Sequence, residues 1–304
     1  MAKVKLGMNA CFAVGRYPEP DVWLRIVGEK FGLRYTQFFS DLIDPKVEEK
    51  VKKRLCLETR EAARKYNVTM HSVFSGTAPH WCHFLLHPDE GMRKDALRWW
   101  EEYIRMTPLL GAKAVGSLLG SFSFQDWENP QRKEQLTREL IETWHHFSRL
   151  AKEEGLDYLM FEPMSVPREM PCTIAETEEL YQRMNEGAAL PIKLCMDIGH
   201  GAAVSGTPED RDPYAWIRRF ASRTPVIHVQ QTDEQSSKHW PFTEEYNKRG
   251  IITAPRVMEA IEDSGAEEVL LVIEVFHSFF EPMEYKVLDD LATSVEYWRK
   301  YVKE

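Results

Sequence analysis

Apolar and polar positions along the chain fall into two rhythms that take turns. Short segments rich in β-branched, aromatic and aliphatic residues recur at 5–13, 35–40, 69–75, 114–120, 158–163, 192–200, 226–232 and 269–277. Runs of this length and composition predict strands. Between them lie longer charged stretches whose apolar residues recur at helical spacing, at 21–32, 45–67, 89–111, 129–155, 173–187, 212–224 and 253–265, with 289–304 closing the set. Asp, Asn or Thr stands at several of these starts, and Gly32, Gly111, Gly155, Gly187 and Gly265 stand near ends. That is the punctuation expected of capped helices.

Strands that alternate with helices must pair in parallel through right-handed crossovers. Two architectures accept the pattern, a closed barrel and an open doubly wound sheet. The first strand–helix turn, Cys11-Phe-Ala-Val-Gly-Arg-Tyr-Pro-Glu-Pro20, carries no GxGxxG, and the chain has no Walker-type phosphate loop. Eight units in 304 residues favour an α/β (β/α)8 TIM barrel. No linker or low-complexity tract interrupts the chain, so residues 1–304 read as a single domain.

Composition narrows the function. With 39 basic and 48 acidic side chains the formal charge is −9, which argues against a dedicated nucleic-acid binder. No run of 18 apolar residues predicts a membrane span. The N-terminal residues lack the apolar core of a secretory signal. Five cysteines, at 11, 56, 82, 172 and 195, are odd in number and include no CxxC, so a reducing cytoplasm is the expected location.

Barrel chemistry sits at the C-terminal ends of the strands. There the last four strands each offer a metal-type ligand: Glu162, Asp197, His228 and Glu274, with His200 three residues beyond Asp197. Separations of 35, 31 and 46 residues are each about one βα unit. Alternation along a strand puts all four on the lumen side. It sends Leu159, Phe161, Leu194, Met196, Ile198, Ile227, Val229, Leu271, Ile273 and Val275 outward. Any one of these acids alone is as readily explained by a nearby Lys or Arg, or by a solvated rim. Four at matched positions are better explained by a cation, because clustered buried carboxylates need compensating charge. Three oxygen donors and an imidazole suit one divalent ion, Mn²⁺ first, with Mg²⁺ or Co²⁺ as alternatives.

The Glu / Asp-x-x-His / His / Glu series over strands five to eight resembles the sugar phosphate isomerase/epimerase superfamily, typified by D-tagatose 3-epimerase. The resemblance covers essentially the whole chain. The opening Leu6-Gly-Met-Asn-Ala-Cys-Phe-Ala-Val-Gly-Arg-Tyr-Pro-Glu-Pro20 and the stretch Gln37-Phe-Phe-Ser-Asp-Leu-Ile-Asp-Pro45 are most similar to the bacterial tetrulose-phosphate branch, the D-erythrulose 1-phosphate 3-epimerases. The resemblance implies that Glu162, Asp197, His228 and Glu274 hold the metal and that Glu162 and Glu274 are also the catalytic acid/base pair. It implies that His200 contacts the substrate, that His71, read as ending the third strand, lines the pocket, and that the protein is a homo-oligomer, a dimer or tetramer. The substrate would be a small ketose or ketose phosphate.

Epimerisation beside a ketone needs a proton removed from one face and returned on the other. A cation on the ketone oxygen stabilises the developing enediolate, and two carboxylates serve as base and acid. An aldose–ketose isomerase or a polyol-ketone dehydratase would use the same ligands. An endonuclease IV-type hydrolase would need more strand-end histidines and a basic DNA face, and a non-catalytic sugar-binding barrel could dispense with one carboxylate.

One departure stands out. Free-sugar 3-epimerases of this kind usually carry an arginine six residues beyond the seventh-strand histidine, and Glu234 occupies that position here. Lys238 is therefore the expected substrate contact on this loop, with Lys248, Arg249 and Arg16 as further candidates for a phosphate. Two long loops, 76–90 and 233–252, are expected to act as lids. His80, His83 and His87 in the first form a trio without a fourth ligand. Trp99, Trp100, Tyr103, Met106, Trp144 and Trp298 read as helix faces packed on the barrel, and Cys195 as an inert core thiol with no evident base.

Overall fold

Lys3–Asn9 forms β1, the first strand of a closed ring whose remaining members are β2 (Tyr35–Phe39), β3 (Thr69–Phe74), β4 (Ala114–Leu118), β5 (Tyr158–Glu162), β6 (Ile192–Asp197), β7 (Val226–Val229) and β8 (Glu268–Ile273). The structure is a computed structural model that describes residues 2–81, 84–202, 206–278, 282 and 284–302. Every strand pairs in parallel with its sequence neighbours, and β8 closes on β1 through Lys3–Glu268 to Met8–Ile273. The expected (β/α)8 barrel is the fold, formed as one domain.

Each strand is followed by a barrel helix: α1 (Pro20–Arg25), α2 (Glu49–Lys65), α3 (Glu90–Leu110), α4 (Pro130–Glu153), α5 (Ile174–Asn185), α6 (Pro213–Phe220), α7 (Ala254–Asp263) and α8 (Val287–Arg299). Side-chain caps fix several starts. Asp89 accepts from Met92 N, Asn129 from Gln131 N and Arg132 N, Thr173 from Glu176 N, and Asp212 from Tyr214 N. Such caps satisfy amides that the first turn leaves unpaired. α3 ends at Gly111, whose φ of 85° suits a residue without Cβ.

Two apolar layers result. Outward strand residues, Leu159, Phe161, Leu194, Met196, Ile227, Val229, Leu271 and Ile273 among them, pack against the helices. Trp99, Trp100, Tyr103, Met106, Trp144 and Trp298 are buried in that same layer, as expected. Inward residues Phe74, Ala114, Met160, Cys195, Val226, Leu270 and Val272 fill the lumen. This lumen plug is the floor on which the polar strand ends stand.

Candidate active site

The strand ends gather the expected quartet. Glu162 ends β5, Asp197 ends β6, His228 lies in β7 opposite Asp197, and Glu274 follows β8 by one residue. One ligand atom from each lies within 4.8 Å of the others, and all four residues are buried. β6 stops at Asp197 because its Oδ1 accepts from Gly199 N at 2.6 Å, turning the chain into the short helical turn of His200–Ala202. The strand expected to reach 200 therefore ends three residues sooner.

A hydrogen-bond chain orients His228. Its Nε2 lies 2.6 Å from Gln37 Oε1, which also accepts from Asn9 Nδ2 at 3.1 Å. Gln37 Nε2 donates to Ser72 Oγ at 3.2 Å, and Asn9 Nδ2 also donates to Glu274 Oε1 at 2.7 Å. A carboxamide oxygen only accepts, so Nε2 carries the proton and Nδ1 presents its other face to the carboxylates. Nδ1 lies 3.1 Å from Glu162 Oε1 and 3.3 Å from Glu274 Oε2. A bare lone pair facing two carboxylates is repulsive, so the arrangement calls for a positive charge between them. A proton or a divalent cation satisfies it. The donor set of three carboxylates and one imidazole, each held by neighbours, fits the cation.

Electrostatics follow from burial and contact. Burial pushes the Glu162 carboxyl above the usual range, although hydrogen bonding from His228 opposes it. Burial also raises Asp197, but His200, His239, His228 and Gln230 together outweigh it and hold the carboxyl below its ordinary value. For His200 and His228 burial favours the neutral ring. The neighbouring Asp197 and Glu162 reverse that for His200, and Cys195, Glu274 and Glu162 do so for His228. Burial likewise lifts the Cys195 thiol to about 11. His228 Nε2, 3.4 Å away, is a neighbour for that thiol that the sequence did not disclose.

Above the quartet a cavity of about 160 Å³ is lined by Glu162, Glu274, His200, His239 and His80, with Phe39, Phe74, Leu118, Met164 and Phe276 as apolar walls and Ser75, Gly76 and Thr77 between them. His200 is where expected. Its Nδ1 donates to the Pro163 carbonyl at 3.1 Å, leaving Nε2 for the cavity.

Two expected pocket residues are elsewhere. His71 lies near the other end of the barrel, where its charged neighbours are Lys5 and Glu268 at the strand starts. β3 shifts register between its partners Thr36 and Gln37, so that Met70 and Ser72 pair and His71 is skipped. Lys238 is turned to Asp233, 3.7 Å away, and toward the Trp240 ring. The next residue, His239, enters the cavity instead.

The loops expected as lids do contribute walls. The first supplies Gly76, Thr77 and His80; the second folds back through a bridge between Gln231 and Trp240. Of the histidine trio, His80 lines the cavity, His87 Nδ1 accepts from Asp89 N, and His83 lies outside the described residues.

Sequence reasoning missed Asn9, Gln37, Gln230 and His239. Gln230 Nε2 donates to both Asp197 oxygens at 2.9 Å, and Gln230 Oε1 accepts from His239 N. His239 Nδ1 stands 3.7 Å from Glu274 Oε2 and 4.0 Å from Asp197 Oδ2. The available signal was a polar residue on lumen parity within an apolar strand or just after it, which Asn9, Gln37 and Gln230 all satisfy.

The chain is similar in sequence to the D-erythrulose 1-phosphate 3-epimerase of Brucella abortus (strain 2308), at 31% identity over 298 residues, spanning 98% of this chain and 96% of that one. In structure it is similar to a Rhodospirillum rubrum protein provisionally named a xylose isomerase, with a TM-score of 0.91, 28% identity, and 98% and 99% of the two chains covered. A D-psicose 3-epimerase from Clostridium cellulolyticum H10 shares the fold at a TM-score of 0.73 and 15% identity, over 99% of this chain and 100% of that one. The model of one family matches residues 28–301. The chain belongs to that family, the xylose isomerase-like TIM barrels.

Proposed function

We propose that this protein is a divalent-metal-dependent epimerase of a small ketose phosphate, inverting C3 of a tetrulose phosphate. The observation that carries this reading is the pair Glu162 and Glu274. They are buried, three strand positions apart around the ring, and both lie on His228 Nδ1 and line one cavity. Two carboxylates converging on one small cavity are what a two-base proton transfer requires.

Glu162, Asp197, His228 Nδ1 and Glu274 would hold the ion, with Mn²⁺ our choice for this donor set. When bound, the ion supplies positive charge for the oxygen on which negative charge develops as the C3 proton leaves. One of Glu162 and Glu274 would take that proton while the other, already protonated, would give its own proton to the opposite face, the two exchanging roles for the reverse reaction. His200 Nε2 meets a substrate oxygen. The apolar walls of Phe39, Phe74, Leu118 and Phe276 keep water from the carbanion-like centre. A cavity of about 160 Å³ suits a short sugar. The activity named for the Brucella abortus relative agrees with a four-carbon phosphorylated ketose.

The test is incubation with D-erythrulose 1-phosphate and Mn²⁺, followed by dephosphorylation and chiral analysis of the erythrulose. A mixture of both C3 configurations is expected. Recovery of the single starting configuration would reject the epimerase, and formation of an aldose would replace it with an aldose–ketose isomerase.

A further inference from the structure

We propose that His239 is a further catalytic residue, whose Nδ1–H donates a hydrogen bond to the ketone oxygen of the substrate as negative charge develops there. The identity of that oxygen rests on the epimerase reading. The donor and its place rest on the contacts of His239 alone.

Gln230 sets the tautomer. Its Oε1 accepts from the His239 amide, and its Nε2 donates to both Asp197 oxygens at 2.9 Å. Those two contacts fix which end of the carboxamide is the nitrogen. The same Nε2 lies 3.2 Å from His239 Nε2. A carboxamide nitrogen only donates, so His239 Nε2 is the acceptor and the ring carries its proton on Nδ1. No charge on the imidazole is required.

That proton has no close acceptor among the described residues. Nδ1 lies 3.4 Å from the Glu274 carbonyl oxygen, beyond the ordinary range for such a bond. It stands 3.7 Å from Glu274 Oε2 and 4.0 Å from Asp197 Oδ2, closing on neither carboxylate. An oxygen seated beside the quartet completes it, and the cavity that His239 lines is where the reacting end of a ligand lies.

The other wall groups do not offer this. His200 Nδ1 donates to the Pro163 carbonyl, so its Nε2 brings a lone pair. Ser75 Oγ donates to Ser117, Gly76 N to Ser40, and Thr77 Oγ1 to Asp41. No lysine or arginine is among the described residues that line the cavity. A neutral imidazole is an effective electrophile toward an oxygen that gains charge.

The backbone supports the assignment. His239 has a φ of 50°, a left-handed conformation uncommon for a residue with a Cβ. Its carbonyl accepts from Phe276 N at 3.2 Å, and Trp240 exchanges two bonds with Gln231, at 2.8 and 3.0 Å. The ring stands edge to face with Phe276, centroids 4.7 Å apart. Strained conformations persist where the surroundings over-determine them, and they gather at active sites.

The test uses Mn²⁺-loaded wild-type, His239→Asn and His239→Gly protein. Asn tolerates the left-handed backbone and can place an amide N–H where Nδ1–H stands; Gly tolerates it and has no donor. Calorimetry with glycolohydroxamate, whose oxygens carry the charge when bound, is run beside turnover of erythrulose 1-phosphate. In His239→Gly the hydroxamate should bind about 10- to 100-fold more weakly, while Mn²⁺ affinity holds within about twofold. Its kcat should fall about 10²- to 10³-fold with KM within about threefold. His239→Asn should recover most of both losses. Equal hydroxamate affinity in the wild type and His239→Gly, no hydroxamate binding to the wild type, no recovery in His239→Asn, or lost Mn²⁺ affinity in His239→Gly overturns the proposal. A wild type that leaves C3 unchanged rejects the epimerase reading alone, because the hydroxamate measurement decides the donor without turnover.

Discussion

His228 Nε2 and Gln37 Oε1 lie 2.6 Å apart although 191 residues separate them in the chain. This contact across the lumen fixes which ring nitrogen faces the carboxylates. Gln37→Leu removes it at little cost in volume, so divalent-ion affinity should fall 10- to 100-fold, the usual loss when a ligand's supporting contact is removed. Titration calorimetry with Mn²⁺ checks this, and an unchanged Kd would mean that the ring needs no such support.

Glu162→Gln and Glu274→Gln each remove one acid/base group and keep the side chain's shape. Turnover should fall by at least 10²- to 10⁴-fold in each, with far-UV circular dichroism unchanged. An active variant of either kind would sink the two-base mechanism.

Stability should respond to the ion as well. Glu162, Asp197 and Glu274 are buried within reach of one another, and a cation offsets their repulsion. Ion at a hundred times its Kd should add about 2.7 kcal/mol to the folded state. Thermal melts with and without chelator should therefore separate by several degrees; coincident melts would deny that the quartet holds an ion.

Acid sensitivity should trace in part to His71. Burial, with Lys5 nearby, pushes its pKa down to about 4 from an ordinary 6.5. Below pH 6.5 the unfolded chain then binds a proton that the folded chain refuses, so stability is lost as pH falls from 6.5 toward 4. The loss from this group is up to about 3 kcal/mol. In His71→Gln, urea midpoints should fall less than those of the wild type across that window. Parallel curves would show that the ring protonates freely in the fold.

The barrel and the quartet were legible because both repeat. Eight βα units leave eight copies of one signal, and Glu162, Asp197, His228 and Glu274 each sit at the same parity near a strand end. Strand ends were less legible, since side chains that cap turns decide them. The first strand, expected to reach 13, stops at Asn9, whose Oδ1 accepts from Cys11 N at 2.8 Å. Gln37 acts through His228, a partner that only closure of the ring brings near, and Gln230 and His239 act through partners on neighbouring strands. His71 was misplaced for a related reason. A register shift against β2 is a property of two strands together, and one strand's alternation cannot reveal it.

The account is tested most directly by proton NMR in D₂O with Mg²⁺, running erythrulose 1-phosphate beside free erythrulose, D-tagatose and D-fructose. Deuterium should enter C3 of the phosphorylated tetrulose, and chelator should stop it. Exchange confined to C1, or no exchange in any of the four sugars, would contradict proton transfer at C3 by Glu162 and Glu274.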